Sequence, residues 1–171
     1  MSALQAHCAR CGGELVAFQE HGRERGRCER CGAVAYRNSK PCVGAIVRRA
    51  DRVLLSRRAR EPHAGLWDLP GGFLESGEHP EAGVLREVRE ETGLAARVVR
   101  LVGVAMGRYG DDDTLNLVYE LAVDGEPEAR DDSLEMRWFP LDALPEMAFE
   151  HERALLAQLR ASARPHSPGS A

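Results

Sequence analysis

The chain has 171 residues, of which 43% are hydrophobic and 29% are charged, and its formal net charge is −4 at pH 7. This length and composition predict one ordinary globular domain with a small additional segment, and the negative charge argues against nucleic-acid binding. No apolar run is long enough to cross a bilayer, and the first residues lack the apolar core of a signal peptide, so we expect a cytoplasmic protein without a membrane partner.

The first feature along the chain is a set of cysteines near the beginning. They form two Cys-x2-Cys pairs, each followed by glycine and with sixteen residues between the pairs: Cys8, Cys11, Cys28 and Cys31. This spacing is typical of a zinc ribbon, in which four thiolates hold Zn²⁺ in a closed tetrahedral site. A redox pair would need one such motif between a strand and a helix, and disulfides would need a secretory context. We therefore predict a structural zinc ribbon over residues 1–40, with a short hairpin formed by residues 14–21 and 23–27.

Two strands are predicted after the ribbon. Residues 43–48 are largely apolar and predict a buried strand, residues 50–52 predict a turn, and residues 53–57 predict a second strand. Cys42, the fifth cysteine, directly precedes the first of these strands. Because a free cysteine behaves as a small apolar residue, we expect it to be part of the core.

A glycine-rich loop and a helix follow. His79 at the N-cap position, Pro80 at the first helical position and Gly93 as a stop predict a helix over residues 80–92. Upstream, the paired glycines Gly71 and Gly72 permit backbone geometries that are closed to other residues. A loop of this kind can bring its backbone close to a bound metal or phosphate.

Three carboxylates share one face of the predicted helix and lie within one turn of each other: Glu87, Glu90 and Glu91. Like charges at this spacing destabilise a helix, so a solvated surface helix has little reason to collect them. Divalent cations remove the repulsion, and carboxylate oxygens suit Mg²⁺ or Mn²⁺ facing a phosphate. Arg86 precedes Glu90 by one turn and can fix the orientation of its side chain.

Further strands are predicted after this helix, at residues 96–106, 115–123 and 135–139. A polar loop at residues 110–113 separates the first two, and an acidic loop at residues 125–133 precedes the third. Residues 149–161 show the periodicity of an amphipathic helix. Residues 163–171 are rich in proline, serine and glycine, and we expect them to be disordered.

The loop and the acidic helix together carry a long motif. From Gly72 to Leu94 the sequence reads G-x5-E-x7-R-E-U-x-E-E-x-G-U, where U is aliphatic, and Glu78 and Gly93 fill two of its fixed positions. This pattern resembles the signature of the Nudix hydrolases. The resemblance implies an α/β protein with the Nudix fold, a mixed sheet sandwiched between helices, over residues 41–162. It also implies an enzyme that uses Mg²⁺ or Mn²⁺ to hydrolyse diphosphate linkages.

The resemblance assigns roles to residues of the motif. Glu90 and Glu91 would bind the metal ions, and Glu87 would either bind metal or act as the general base. Arg86 would orient these carboxylates, and Glu78 would support the ligands without binding metal itself.

Other ligands implied by the resemblance lie outside the helix. The carbonyl group of Gly71 would bind the metal, because the residue before the first glycine of the motif often does so in Nudix enzymes. A further carboxylate often completes the site, and Glu135 is the best candidate, followed by Asp111–Asp113 and Glu120.

The cysteine-rich segment resembles the zinc ribbon that precedes the catalytic domain in NADH pyrophosphatases and in some ADP-ribose and FAD pyrophosphatases. NADH pyrophosphatases carry a Ser-Gln-Pro-Trp-Pro-Phe-Pro-like array after the motif, and residues 95–101 of this chain are different. The expected substrate is therefore a nucleoside diphosphate linked to another moiety, with ADP-ribose or FAD first, and the expected product is a nucleoside monophosphate.

Several alternatives stay open. The chain could hydrolyse NADH, or remove damaged nucleoside triphosphates, or be a ligand sensor without activity whose ribbon binds nucleic acid. The intact glutamates of the motif argue against the sensor. Phe73 and Tyr109 could stack on a base, but core packing explains either residue equally well. The sequence leaves a homodimer open.

Overall fold

The computed structural model describes residues 6–131 and 133–162, and the predicted disordered tail at residues 163–171 lies outside them. The chain divides into two compact units, with the boundary between Ser39 and Lys40. Each unit has its own sheet. In the described part of the chain, no helix is both long enough and apolar enough to span a membrane.

The first unit is built on a short antiparallel sheet. Strand β1 (Leu15–Glu20) pairs with β2 (Arg23–Cys28), and β2 pairs with β3 (Val34–Ala35). His21 and Gly22 connect β1 to β2 with φ angles of 50° and 74°. Positive φ at both central residues matches the twist of a two-residue hairpin. The predicted hairpin is therefore present.

The second unit contains a mixed sheet. Over the described residues its strands are β4 (Lys40–Arg49), β5 (Arg52–Arg58), β6 (Trp67–Asp68), β7 (Gly71–Phe73), β8 (Ala95–Tyr109), β9 (Asp112–Asp124) and β10 (Ser133–Pro140). Its helices are α1 (Pro80–Thr92) and α2 (Glu150–Ser162). The main path of the sheet is β10-β5-β4-β9-β8, with β6 beside β5 and β7 beside β4. β4 and β9 are parallel, and the other pairs are antiparallel.

Strand β4 lies between the two helices because it is apolar on both faces. Val43 and Val47 pack in one core with Val88 of α1. Ile46, which points to the other face, packs in a second core with Leu156 of α2. Successive side chains of a strand alternate between faces, so one strand serves both cores. The predicted fold, a mixed sheet between helices, is confirmed.

The hairpin between β8 and β9 is longer than predicted. Asp112 and Asp113 belong to β9, where they pair with Tyr109 and Arg108, so the predicted polar loop at residues 110–113 is wrong for its second half. Gly110 has a φ of 58° and reverses the chain in a short turn. Strand pairing, more than the low β-propensity of aspartate, decides where this strand begins.

Candidate active site

The acidic helix α1 begins and ends at the residues that its capping signals predict. His79 Nδ1 accepts a hydrogen bond from the backbone N of Glu81 at 3.3 Å, and Pro80 is the first helical residue. Gly93 ends the helix in the left-handed conformation, with φ of 71°. Because Val88 is fully buried, the rotation of the helix about its axis is fixed. That rotation brings part of its acidic face to β7.

Glu87 lies directly against the glycines of β7. A Cβ atom placed on Gly72 would be 2.5 Å from Glu87 Oε1, so glycine leaves room for the carboxylate in its present position. The Glu87 side chain is only 14% exposed. Burial raises the pKa of Glu87, and the hydrogen bond from Arg86 opposes this rise.

Glu91 lies one turn further along and is also held by the loop. Its Oε2 atom accepts a hydrogen bond from the backbone N of Gly71 at 3.2 Å. Burial, to which the charges of Asp68 and Glu87 add, raises the pKa of Glu91 to about 9. An ionised carboxylate at this position therefore needs a positive charge beside it.

Arg86 ties the remaining carboxylates together. Its guanidinium group donates to both oxygens of Glu78 at 2.9 Å, to Glu87 Oε1 at 2.8 Å and to Glu90 Oε2 at 3.0 Å. It also donates to the carbonyl oxygen of Phe73 at 3.1 Å. The hydrogen bonds from Arg86 and from the Glu75 amide lower the pKa of Glu78 to about 2. Glu78 thus holds Arg86, and Arg86 orients the other two glutamates.

Of the glutamates described above, Glu87 and Glu91 line a cleft of about 280 Å³. The charged residues that line it are Arg58, Arg60, Asp68, Glu75, Glu87, Glu91 and Asp131. Carboxylates suit a divalent cation, and guanidinium groups suit phosphate oxygens. Both kinds of group occur together in this one cleft, so it can bind a cation and a phosphate side by side.

The two aromatic residues proposed for base stacking also line this cleft. The rings of Phe73 and Tyr109 lie edge to face, with centroids 5.3 Å apart. Phe73 is 38% exposed, so it is not a core residue. A smaller adjoining cavity is lined by both rings and by Phe149.

Within the described residues, the carboxylates predicted to complete the site are not among those that line this cleft, and three of them form ion pairs. Glu135, on β10, forms an ion pair with Arg137 of the same strand. Of the further candidates, Glu120 pairs with Arg100 at 2.8 Å, and Asp112 pairs with Lys40 at 2.6 Å.

Two other aspartates are brought to the cleft, and sequence reasoning missed both. Asp68 forms an ion pair with Arg58 at 2.6 Å, and burial raises the pKa of Asp68 to about 6. The sequence did contain a signal for this residue, because Asp68 lies shortly before the paired glycines Gly71 and Gly72. Asp131 reaches the cleft because its loop docks on the end of α1, where Arg130 N donates to Glu91 O at 2.9 Å. No local sequence pattern marks that contact.

The helix glutamates do not form a ready-made metal cluster. Over residues 6–131 and 133–162, the cysteines are the one group of three or more ligating side chains whose donor atoms lie together. Glu87 and Glu90 accept hydrogen bonds from Arg86, and Glu91 accepts one from the Gly71 amide. Without a cation, repulsion between carboxylates favours such separate partners. The donor set nevertheless fits a hard divalent cation, since it consists of carboxylate oxygens, which are partly buried in Glu87 and Glu91 and exposed in Glu90.

The four cysteines of the first unit do form a cluster. The sulfur atoms of Cys8, Cys11, Cys28 and Cys31 all lie within 4.8 Å of one another. The Cys8–Cys31 and Cys11–Cys28 sulfur distances are 3.8 Å and 3.5 Å, and none of the four is in a disulfide. A tetrahedron with metal–sulfur bonds of about 2.3 Å has edges of roughly 3.8 Å. The cluster therefore fits a tetrahedral Zn²⁺ with no open position.

A mixed sheet between two helices, with an acidic helix against paired glycines, is the arrangement of a Nudix hydrolase. The family model described as NUDIX domain matches residues 38–159, and the chain belongs to that family.

Two curated relatives have informative names. The chain is 37% identical over 128 residues to an ADP-ribose pyrophosphatase of Methanocaldococcus jannaschii. That match covers 73% of this chain and 76% of that protein. It is 34% identical over 169 residues to the NAD-capped RNA hydrolase NudC of Pseudomonas aeruginosa. That match covers 95% of this chain, and the chain spans 59% of the length of that relative. The predicted class, a Nudix-type pyrophosphohydrolase, is confirmed.

One solved structure matches nearly the whole chain. A NUDIX hydrolase from Nitrosomonas europaea has a TM-score of 0.82 and 27% identity, covering 98% of this chain and 97% of that one. The likeness therefore extends over both units, including the cysteine-rich segment.

Proposed function

We propose that this chain hydrolyses the diphosphate linkage of a nucleoside diphosphate joined to another moiety, with Mg²⁺ or Mn²⁺, and releases a nucleoside monophosphate. The observation that carries the proposal is the single cleft lined by Glu87, Glu91, Arg58 and Arg60. Its carboxylates can hold a cation while its guanidinium groups contact the phosphates of the same substrate.

Residues of the cleft and neighbouring residues of α1 divide the chemistry between them. A bound cation would neutralise phosphate oxygens and lower the pKa of an attacking water. We assign Glu91, Glu90 and the Gly71 carbonyl to holding it. Arg86 occupies Oε1 of Glu87, so Oε2 of Glu87 is the atom that we assign to the cation or to a proton. Arg58 and Arg60 would hold the diphosphate in line for attack.

ADP-ribose and FAD are our first candidate substrates. The name of the M. jannaschii relative supports ADP-ribose. The name of the P. aeruginosa relative supports NAD-containing compounds, including NADH, as the second candidate, and that match extends through the ribbon. Residues 95–101 do not carry the aromatic and proline array of NADH pyrophosphatases, which keeps ADP-ribose first.

We also propose that the four cysteines bind structural Zn²⁺ in a ribbon over residues 1–40, ahead of a hydrolase domain over residues 41–162. Four thiolates leave no position for a water, so the zinc would stabilise the fold and take no part in hydrolysis. Cysteines outside disulfides are typical of reducing compartments, which supports a cytoplasmic location.

A substrate panel tests the proposed function. ADP-ribose, FAD, NADH and a nucleoside triphosphate are incubated with the chain and Mg²⁺ or Mn²⁺, and the products are separated by chromatography. We expect AMP from ADP-ribose or FAD, and less from NADH. Pyrophosphate from the triphosphate as the main product would contradict the proposed substrate class. Tight binding of a compound without turnover would indicate a sensor instead.

A further inference from the structure

Glu152 is a buried carboxylate that the motif does not include and that the proposed reaction does not use. It lies on α2, and only 8% of the residue is exposed. Its Oε2 atom accepts a hydrogen bond from the backbone N of Leu69 at 3.1 Å. A carboxylate is expensive to bury, so this one calls for a reason beyond filling space.

Leu69 belongs to the short loop that carries Gly71. Two residues after Leu69, the Gly71 amide donates to Glu91 Oε2 at 3.2 Å. Between them, the Pro70 carbonyl accepts a hydrogen bond from the backbone N of Ala45, on β4, at 2.8 Å. Three successive residues are thus held by α2, by β4 and by α1. Glu152 supplies the contact from α2.

The backbone just before α2 holds the same loop at its start. Trp67 N donates to Glu146 O at 3.2 Å, and Ala148 N donates to Trp67 O at 2.7 Å. These bonds form a parallel bridge between Trp67 and Met147. The position of α2 is therefore set relative to β6, and Glu152 extends this contact from Trp67 to Leu69.

We propose that Glu152 is a positioning residue for metal binding: by holding the Leu69 amide, it fixes the loop that presents Gly71 to Glu91. This inference rests on the proposed function, in which Gly71 and Glu91 bind the cation. In this arrangement, Glu152 acts by placing an acceptor oxygen within hydrogen-bonding distance of the Leu69 amide, and the charge of its side chain is secondary.

Three substitutions separate reach from charge. Glu152→Gln keeps an oxygen acceptor at the same reach and replaces the carboxyl group with an amide that does not ionise. Glu152→Asp keeps the carboxyl group and shortens the side chain by one methylene. Glu152→Met keeps the length and offers no comparable acceptor. Glu150→Gln is the control, because Glu150 is exposed on the first turn of the same helix and pairs with Arg153.

The measurement is the dissociation constant for Mn²⁺, obtained from the electron paramagnetic resonance signal of free Mn²⁺ in solutions of the zinc-loaded full chain. Thermal melting checks that each variant is folded. We expect Glu152→Asp and Glu152→Met to bind Mn²⁺ about tenfold more weakly, as for other residues that support metal ligands. Glu152→Gln and Glu150→Gln should bind Mn²⁺ like the wild-type chain.

The order of the variants decides the inference. Equal weakening in Glu152→Gln and Glu152→Asp would overturn it, because charge or bulk packing would then explain the effect. Wild-type Mn²⁺ affinity in folded Glu152→Asp and Glu152→Met would overturn it as well. If one of these two does not fold, the other is compared with Glu152→Gln.

Failure of the proposed function can be distinguished from failure of the inference about Glu152, because the Mn²⁺ measurement needs no substrate. A chain that shows the expected order of affinities and hydrolyses nothing in the panel would contradict the proposed function alone. A wild-type chain that binds no Mn²⁺ at the carboxylates would overturn both.

Discussion

The carboxylate of Glu91 contributes to the pH dependence of stability of the protein without Mg²⁺ or Mn²⁺. Its pKa is raised to about 9 by burial and by the neighbouring charges of Asp68 and Glu87. In the unfolded chain the group would titrate near its ordinary value of about 4.3. Between these two values the folded state binds the extra proton. Stability therefore falls as pH rises through this window, and a bound cation would reverse the loss.

Glu91→Gln should remove part of this pH dependence. Because the amide does not titrate, the variant without Mg²⁺ or Mn²⁺ should lose less thermal stability than the wild-type chain between pH 6 and pH 9. Added Mg²⁺ should stabilise the wild-type chain and have little effect on Glu91→Gln. Melting curves in buffers that contain no chelator, so that zinc is retained, measure both effects.

Glu90→Gln is the matched control for this prediction. The Glu90 side chain is 49% exposed and is paired with Arg86, so the pH slope of its melting temperature should match that of the wild-type chain. A wild-type slope in Glu91→Gln would show that the Glu91 carboxyl is not the group that titrates.

Among the secondary-structure elements, α1 could be predicted almost to the residue and its neighbours β6 and β7 could not. Pro80 and Gly93 are local signals, and they act wherever the rest of the chain lies. Strands of two and three residues are too short to show alternation. They form because β6 pairs with β5 and β7 pairs with β4. Only tertiary structure supplies those partners.

The residues of the candidate site likewise fall into those that local sequence predicts and those that only tertiary contacts bring to the site. The spacing of Glu87, Glu90 and Glu91 on a helix predicts that they share a face, because helical geometry relates them directly. Asp131 and Glu152 reach the site through a loop docked on α1 and through the contact of α2 with Leu69. These contacts join residues far apart in the sequence, so no local pattern could indicate them.

The contact between β7 and α1 predicts the effect of Gly72→Ala. The added Cβ would lie 2.5–2.8 Å from the carboxylate atoms of Glu87, so this carboxylate must shift from its position. We expect kcat to fall about tenfold or more, with little change in KM for the substrate hydrolysed in the panel, because the carboxylate that we assign to the cation or to a proton is displaced. Steady-state kinetics at saturating Mg²⁺ tests this expectation.

Gly44→Ala is the control for Gly72→Ala. Gly44 is a buried glycine of β4, and its added Cβ would make an ordinary contact at 3.6 Å with Val118. This variant should fold and retain its kcat. An equal loss of kcat in both variants would point to general disturbance of the sheet.

At the scale of the whole molecule, the two units differ in the interactions that stabilise each of them internally. The second unit has two apolar cores, one against each helix. In residues 6–39 of the first unit, the buried residues are Cys8, Gly13, Gly26 and Cys28. A unit of this size without buried aliphatic side chains needs another source of stability, and a metal held by its cysteines is a sufficient one.

Removal of zinc should therefore unfold the first unit and leave hydrolysis by the second intact. Binding free energy of a structural zinc is folding free energy for a small metal domain, whereas the cores of the second unit contain no cysteine of the cluster. A chelator selective for zinc over magnesium is added, and limited proteolysis within residues 6–39 is compared with the hydrolysis rate in excess Mg²⁺. We expect faster cleavage of the first unit at an unchanged kcat. Loss of activity that Mg²⁺ does not restore and Zn²⁺ does would instead place the ribbon in the catalytic machinery.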